Sequence, residues 1–214
     1  MSRASRLGYM DGGMTVMIWI GCALAAYLLG SIPTGYLWCQ ARGVDIRQVG
    51  SGNIGATNVM RALGKPIGIT VLLLDMAKGW VAVMALPAFA PELPHRALQL
   101  VCCVSVIAGH NWTCWLRFKG GKGIATSGGA LLAMLPVPLF WALGTWVVLF
   151  AVWRYVSVAS VGAAVAVPVA TWFTAREFFW FTVAIGVVAI WKHRSNLQRL
   201  RAGTEHRVGA RKPA

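Results

Sequence analysis

The stretch MTVMIWIGCALAAYLLGSIPTGYLW, residues 14–38, decides the fold. It holds no Lys, Arg, Asp or Glu, and the uncharged run extends from Asp11 to Arg42. A helix needs ~20 apolar residues to cross the ~30 Å hydrocarbon core of a bilayer, so Met14 to Trp38 reads as a transmembrane span. Moving outward, Pro66 to Ala90 is a second such run, interrupted only by Asp75 and Lys78, and Ala97 to Leu116 is a third. Gly123 to Trp153 is uncharged but broken by Pro136 and Pro138. At ~1.5 Å per residue it is too long for one untilted crossing, so two short helices meeting at the prolines are expected. Tyr155 to Ala175 and Phe178 to Trp191 follow, separated by Arg176 and Glu177. The pattern predicts an all-α, polytopic integral membrane protein of about seven transmembrane helices, the fourth and fifth short.

The composition agrees. Apolar residues make up 57% of the 214 and charged residues 12%, against roughly 45–50% and about 25% in soluble domains. That balance fits a soluble monomer poorly and excludes a disordered chain. The 20 Lys and Arg exceed the 6 Asp and Glu, a net charge of +14. They sit at the edges of the apolar runs, which points to an anionic membrane leaflet and an anionic substrate rather than nucleic acid. With the N-terminus outside and the helices alternating, the inner side collects Arg42, Arg47, Arg61, Lys65, Arg117, Lys119, Lys122, Arg154 and the basic tail from Lys192. The outer side keeps Arg3, Arg6, Arg96 and Arg176. The positive-inside rule therefore puts the C-terminus in the cytoplasm, and merging helices four with five and six with seven leaves it there. Arg3 and Arg6 ahead of Ala23-Leu24-Ala25 imitate a signal peptide, but the apolar run continues to Trp38 and reads as a retained span. We expect an outer tail over residues 1–13, one membrane domain over 14–207, and a frayed end over 208–214. Cys22, Cys39, Cys102, Cys103 and Cys114 lie in or beside apolar helices without a C-x-x-C, as buried thiols do.

Four polar stretches fall on the inner side. They are Gly50 to Asn58 with Arg61 and Lys65; Gly109-His110-Asn111 through Arg117 to Gly123; Arg154 to Ser157 with Ser160; and Lys192 to Asn196 with Arg199, Gly203 and Glu205. Gly50, Gly52 and Gly55 satisfy G-x-G-x-x-G, with Asp75 downstream, but a membrane helix precedes them where a dinucleotide site needs a strand. No Walker A loop precedes Lys122, since Leu116 stands where its first glycine would be. What remains is anion chemistry. Gly120, Gly121 and Gly123 flank Lys122 just before a helix, where backbone N–H groups and the helix dipole favour negative charge. Around Gly52, the side chains of Ser51, Asn53, Thr57 and Asn58 offer donors, and Arg61 offers a fork for phosphate oxygens. Arg42, Arg117 and Lys119 read instead as solvated positive-inside charges.

Asp75 and Lys78 share one helical face. Each alone would cost ~2.5–3.5 kcal/mol at the bilayer centre, so they read as a neutralising pair, with a structural role at least as fitting as substrate contact. No acid follows His110 at the fourth or fifth position, no G-x-S-x-G elbow is present, and the few acids form no metal-binding cluster.

Six segments in order resemble the bacterial acyl-phosphate:glycerol-3-phosphate acyltransferase family. They are Leu29 to Gly35, Gly50 to Asn58 with Arg61, Leu74 to Gly79, Gly109-His110-Asn111 through Phe118 to Thr126, Arg154 to Ser157, and His193 to Asn196 with Arg199, Leu200, Gly203 and Glu205. The family usually has proline where Cys114 stands. The resemblance implies a bacterial inner-membrane enzyme that moves a fatty acyl group from acyl phosphate to the 1-hydroxyl of glycerol 3-phosphate. It would yield lysophosphatidic acid and phosphate for phospholipid synthesis, with no cofactor or metal. A soluble enzyme that makes acyl phosphate is the implied partner. The residue chemistry suits that reaction. Ser51, Arg61, Lys122 and the Gly120–Gly123 backbone would neutralise the leaving phosphate. His193 and Asn196, helped by Ser160 and Glu205, would position glycerol phosphate. The proton acceptor stays open between a histidine, His110 or His193, and a substrate phosphate oxygen. A transporter for phosphate-bearing anions is the rival reading; it fits less well, because no inverted repeat is present and the polar residues gather on one face.

Overall fold

The structure, a computed structural model, describes residues 12–209. Arg3, Arg6 and the rest of the expected outer tail up to Asp11 lie outside the described residues, as do residues 210–214. Every regular element among the described residues is helical. The chain divides into two compact units, one ending at Met134 and the other starting at Leu135.

The first unit contains α1 (Gly12–Ser31), α2 (Thr34–Gln40), α3 (Ala56–Leu63), α4 (Lys65–Met84), α5 (His95–Asn111) and α6 (Ile124–Met134). The second contains α7 (Pro136–Trp153), α8 (Val156–Thr174), α9 (Phe179–Lys192) and α10 (Arg194–Arg201). Among the described residues, five helical stretches are long and apolar enough to cross a bilayer: Gly12–Gln40, Lys65–Phe89, His95–Leu116, Pro136–Trp153 and Val156–Thr174. α6, with 11 residues, and α9, with 14, are roughly 16 Å and 21 Å long and fall short of a full crossing. Large apolar side chains such as Leu73, Phe140, Val148 and Phe173 stand more than half exposed, as lipid-facing residues do. Arg42, Arg176 and Arg194 lie over the rings of Trp38, Trp172 and Trp191 near helix ends, with Arg176 and Arg194 4.1 Å from the ring centroids. Stacked basic and aromatic residues of this kind suit the bilayer edge.

Two sequence expectations change. The fourth uncharged run does break at the prolines, with Leu135 between the helices and Pro136 opening α7 where its missing N–H is harmless. Of the two helices, however, only α6 is short, because α7 runs 18 residues and is long enough to cross. The first span is also not continuous. Pro33 ends α1 and a separate α2 begins at Thr34, since proline cannot supply the N–H that would continue the ladder.

Backbone-to-backbone approach holds the first unit together. A side-chain carbon on Gly30 would run into the Val106 carbonyl, and one on Gly109 into the Tyr27 carbonyl, so α1 and α5 touch through small residues. Gly79 and Gly129 do the same for α4 and α6, against Thr126 and Met76. This is how helices associate where lipid provides no hydrophobic drive. In the second unit Pro168 withdraws the N–H that would bond the Ala164 carbonyl, and Gly186 of α9 packs over that carbonyl. Val208, assigned by sequence to a loose end, donates its N–H to the Arg154 carbonyl at 2.9 Å.

Candidate active site

Breaking α1 at Pro33 frees carbonyl oxygens that cannot stay unpaired in a membrane. The Ser31 carbonyl accepts from the Thr113 hydroxyl at 2.6 Å, and the Ile32 carbonyl from the Lys78 ammonium at 3.0 Å. Lys78 also pairs with Asp75 at 2.9 Å, and the same carboxylate oxygen accepts from Thr34 Oγ1 at 2.7 Å. His110 Nδ1 lies 3.7 Å from that oxygen. Asp75, Lys78 and His110 are all buried. The space they enclose with Ile54 and Thr113 leaves no room for a water molecule. Both polar loops of this unit thus meet the ion pair, one through Ile54 and the other through His110 and Thr113.

The Gly120–Gly123 loop lies flat on the end of α5. Gly121 donates its N–H to the His110 carbonyl at 2.9 Å, and Gly120 donates to the Asn111 carbonyl at 3.3 Å. A side-chain carbon on Gly121 would strike the His110 imidazole, and one on Gly120 the His110 carbonyl. Gly123 has φ +79°, a region that favours glycine, and packs against the Asn111 amide. The Gly120 and Gly121 N–H groups therefore hold the loop and are not spare anion donors. Lys122, half-buried, and the N-terminus of α6 supply the positive end. His110, expected by sequence at the substrate or as a base, is instead enclosed between Asp75 and Gly121.

The Gly50–Thr57 loop hangs on one side chain. Asn58 is 1% exposed. Its oxygen accepts from the Ser51 N–H at 3.1 Å, and its amide donates to the carbonyls of Val49 (2.8 Å) and Ile46 (3.3 Å). Asn58 is thus a strut of the loop. Gly50 and Gly52 take positive φ beside it. Ser51, Asn53 and Thr57 remain half-buried, and Arg61 is exposed in the last turn of α3 with its stem close to Gly50. An apolar cluster of Cys39, Ile46, Ile54, Val59 and Val71 supports the loop from below. In the short 3-10 turn Ile46–Gln48, outside the membrane-length helices, the Arg47 guanidinium grips Asp45 through two hydrogen bonds and holds its carboxyl down at about 2.

In the second unit Glu205 is a hub. It accepts from Ser157 Oγ at 2.8 Å, Asn196 Nδ2 at 2.6 Å and Arg199 Nε at 2.9 Å. Burial alone would push its carboxyl up, and these three donors outweigh that, so it lies below its ordinary value. Glu205 orients Asn196 and ties α8 to α10. The His193 ring is buried, with Nδ1 2.8 Å from the Ala189 carbonyl. A carbonyl only accepts, so Nδ1 carries a proton and donates it to Ala189. Ser160, expected at the substrate, is buried one turn from Ser157 and accepts from the Trp146 indole at 3.3 Å. Among the described residues no three His, Cys, Asp or Glu side chains group as metal ligands.

Residues 20–203 match the family model described as glycerol-3-phosphate acyltransferase. The chain belongs to the glycerol-3-phosphate acyltransferase family. It is 47% identical over 204 residues to the glycerol-3-phosphate acyltransferase of Desulforamulus reducens, covering 92% of this chain and 97% of that one. It is 43% identical to the enzyme of the same name from Thermosynechococcus vestitus, covering 92% and 99%. Its fold is similar to the crystal structure of PlsY (YgiH), an integral membrane glycerol 3-phosphate acyltransferase, in the glycerol 3-phosphate form. That likeness has a TM-score of 0.82 at 36% identity and covers 89% of this chain and 96% of that chain. The lysophosphatidic acid form of PlsY gives 0.79 at 35%, covering 89% and 95%. This chain is accordingly a multi-pass integral membrane acyltransferase of that family.

Within this acyltransferase, sequence reasoning missed the contact between Asp75 and His110, which lie on different helices. It also missed Thr34 and Thr113, which serve the Pro33 break. The available signal was a mid-helix acid in a membrane span, which by default asks for a partner.

Proposed function

We propose that the protein transfers a long-chain acyl group from acyl phosphate to the 1-hydroxyl of glycerol 3-phosphate, releasing lysophosphatidic acid and inorganic phosphate for phospholipid synthesis. The observation that carries this reading is Lys122, held in a glycine loop at the N-terminus of α6 by close packing on His110 and Asn111. It is a preorganised positive site for a phosphate group. The similar PlsY structures were solved with glycerol 3-phosphate and with lysophosphatidic acid, an acceptor and product pair that suits this reaction.

The hydroxyl oxygen attacks the acyl carbon, the bond from that carbon to the bridging phosphate oxygen breaks, and phosphate leaves with the electron pair. Lys122, Arg61 and Ser51 offset the charge that grows on the departing phosphate. His193 and the Glu205-oriented Asn196 position glycerol 3-phosphate. Because Asp75 and Gly121 cover the two nitrogen edges of the His110 ring, the hydroxyl proton passes either to His193 or to a phosphate oxygen, and the pH–rate profile of His193→Gln distinguishes them. An apolar crevice of about 440 Å³, lined by Leu29, Leu37, Trp38, Leu74 and Val81 with Thr34 and Lys78 at its polar edge, offers a path for the acyl chain. Acyl phosphate is already activated, so no covalent enzyme intermediate and no metal is needed. The positive-inside pattern supports a bacterial inner-membrane protein, N-terminus outside and C-terminus inside, working on the cytoplasmic face.

The test is to mix purified protein in detergent with palmitoyl phosphate, glycerol 3-phosphate and EDTA. Lysophosphatidic acid and phosphate should appear in equal amounts. No turnover, together with uptake of phosphate-bearing anions into proteoliposomes, would instead favour a transporter.

A further inference from the structure

The ion pair of α4 lies midway along a membrane-length helix and is buried, with only Lys78 reaching the edge of the apolar crevice. Asp75 Oδ1 collects three groups from three places: Thr34 of α2, Lys78 of its own helix, and the His110 imidazole at the end of α5. Neutralising Lys78 explains one of these contacts. It does not explain why the buried carboxylate also faces His110.

The opposite edge of the same ring abuts Gly121 so closely that any side-chain carbon there would overlap Nε2. The loop is also hydrogen-bonded to the His110 and Asn111 carbonyls. Carboxylate, imidazole and glycine loop therefore form one dry column that ends beside Lys122. A second connection runs parallel. Gly79, four residues along α4 from Asp75, packs directly on the Thr126 carbonyl in the first turn of α6. α4 thus braces the loop before Lys122 and the helix after it.

From this column we infer that Asp75 is a positioning residue: acting through the His110 imidazole, it sets the Gly120–Gly123 loop and Lys122 in the geometry that binds the substrate phosphate. The inference rests on the proposed reaction for the identity of that phosphate, but binding alone can test it. An imidazole released from Asp75 can turn or shift, and the loop lying on it shifts too. Displacement of a fixed cation weakens phosphate binding more than it harms folding.

Full-length wild type, Asp75→Asn, and the double variant Asp75→Asn/Lys78→Met are purified in detergent. Each is titrated with glycerol 3-phosphate and with inorganic phosphate, followed by thermal shift, and assayed for KM and kcat. The double variant removes both charges, whereas the single variant leaves the buried Lys78 ammonium, still bonded to the Ile32 carbonyl, without a countercharge. The expected result in both variants is about a tenfold rise in the Kd of inorganic phosphate and about a tenfold fall in kcat, because Lys122 steadies the leaving phosphate, while the Kd of glycerol 3-phosphate stays near wild type; the factor lies within the range of coupling between contacting residues. In a Lys122→Ala background the effect of Asp75→Asn should shrink, because the two act on one site. If the double variant binds phosphate like wild type, Asp75 only neutralises Lys78 and the inference fails. It fails too if wild type binds neither anion, or if the Asp75 and Lys122 effects simply multiply. Should Asp75→Asn not fold, the double variant decides. Wild type that binds phosphate but turns nothing over would count against the proposed reaction and leave the binding comparison intact.

Discussion

Replacing Glu205 with Gln separates two roles that the sequence leaves together. In the structure all three donors around this carboxylate are protein groups, from Ser157, Asn196 and Arg199. Gln keeps one acceptor oxygen but turns an NH₂ group toward donors that now have nothing to bond. A hydrogen bond to a charged group contributes roughly 1.5–3 kcal/mol. The Arg199 side chain is 29% exposed, which discounts its share. About 2–3 kcal/mol of stability should therefore be lost, and at ~2–4 °C per kcal/mol for a chain of this size Tm should fall by about 4–12 °C. The sign with pH follows from the lowered carboxyl. Its contribution is complete above the unfolded glutamate value of ~4.3 and fades as pH falls through the lower folded value. The Tm gap between wild type and Glu205→Gln, measured by dye-based unfolding in detergent, should be full at pH 7 and should close in strong acid. An unchanged Tm with a tenfold higher KM for glycerol 3-phosphate would refute this account and make Glu205 a substrate contact.

Lys122→Ala should lower kcat by about 10²–10³ without moving Tm, as expected for removal of one preorganised charge donor; retained turnover would remove the residue from the site. Asn58→Ala deletes three hydrogen bonds of the Gly50–Thr57 loop and should cost about 1–3 kcal/mol, which limited proteolysis at that loop would register as faster cleavage. Gly109→Val forces side-chain atoms against the Tyr27 carbonyl and should destabilise by about 1–3 kcal/mol, read as a lower Tm.

Membrane spans were legible because bilayer thickness imposes a length that any uncharged run reveals. The break at Pro136 was legible because proline acts locally. The break at Pro33 was not, since Ser31 to Trp38 is apolar enough to pass as helix and the groups that permit the break, Lys78 and Thr113, are remote in sequence. At the site, residue type identified the polar loops but did not separate contact from support. Asn58 and Glu205 carry the same donors and acceptors whether they face a phosphate or their own loop, and only burial and partners decide. The glycines around Lys122 suggested backbone donors, yet two of them are needed for close approach to His110 and spend their N–H groups doing so.

The Pro33 break also bears on biogenesis. Its exposed carbonyls are satisfied by Lys78 and Thr113, residues 46 and 82 positions further along the chain than their partners. At 5–20 residues per second, the ribosome needs roughly 4–16 s to make the second of these. Until then the nascent N-terminal hairpin must carry unmet polar groups or stay out of hydrocarbon. A fragment ending before Thr113 should therefore be a poor client of the insertion machinery, and the leading helix takes its final shape only after the third long span has arrived.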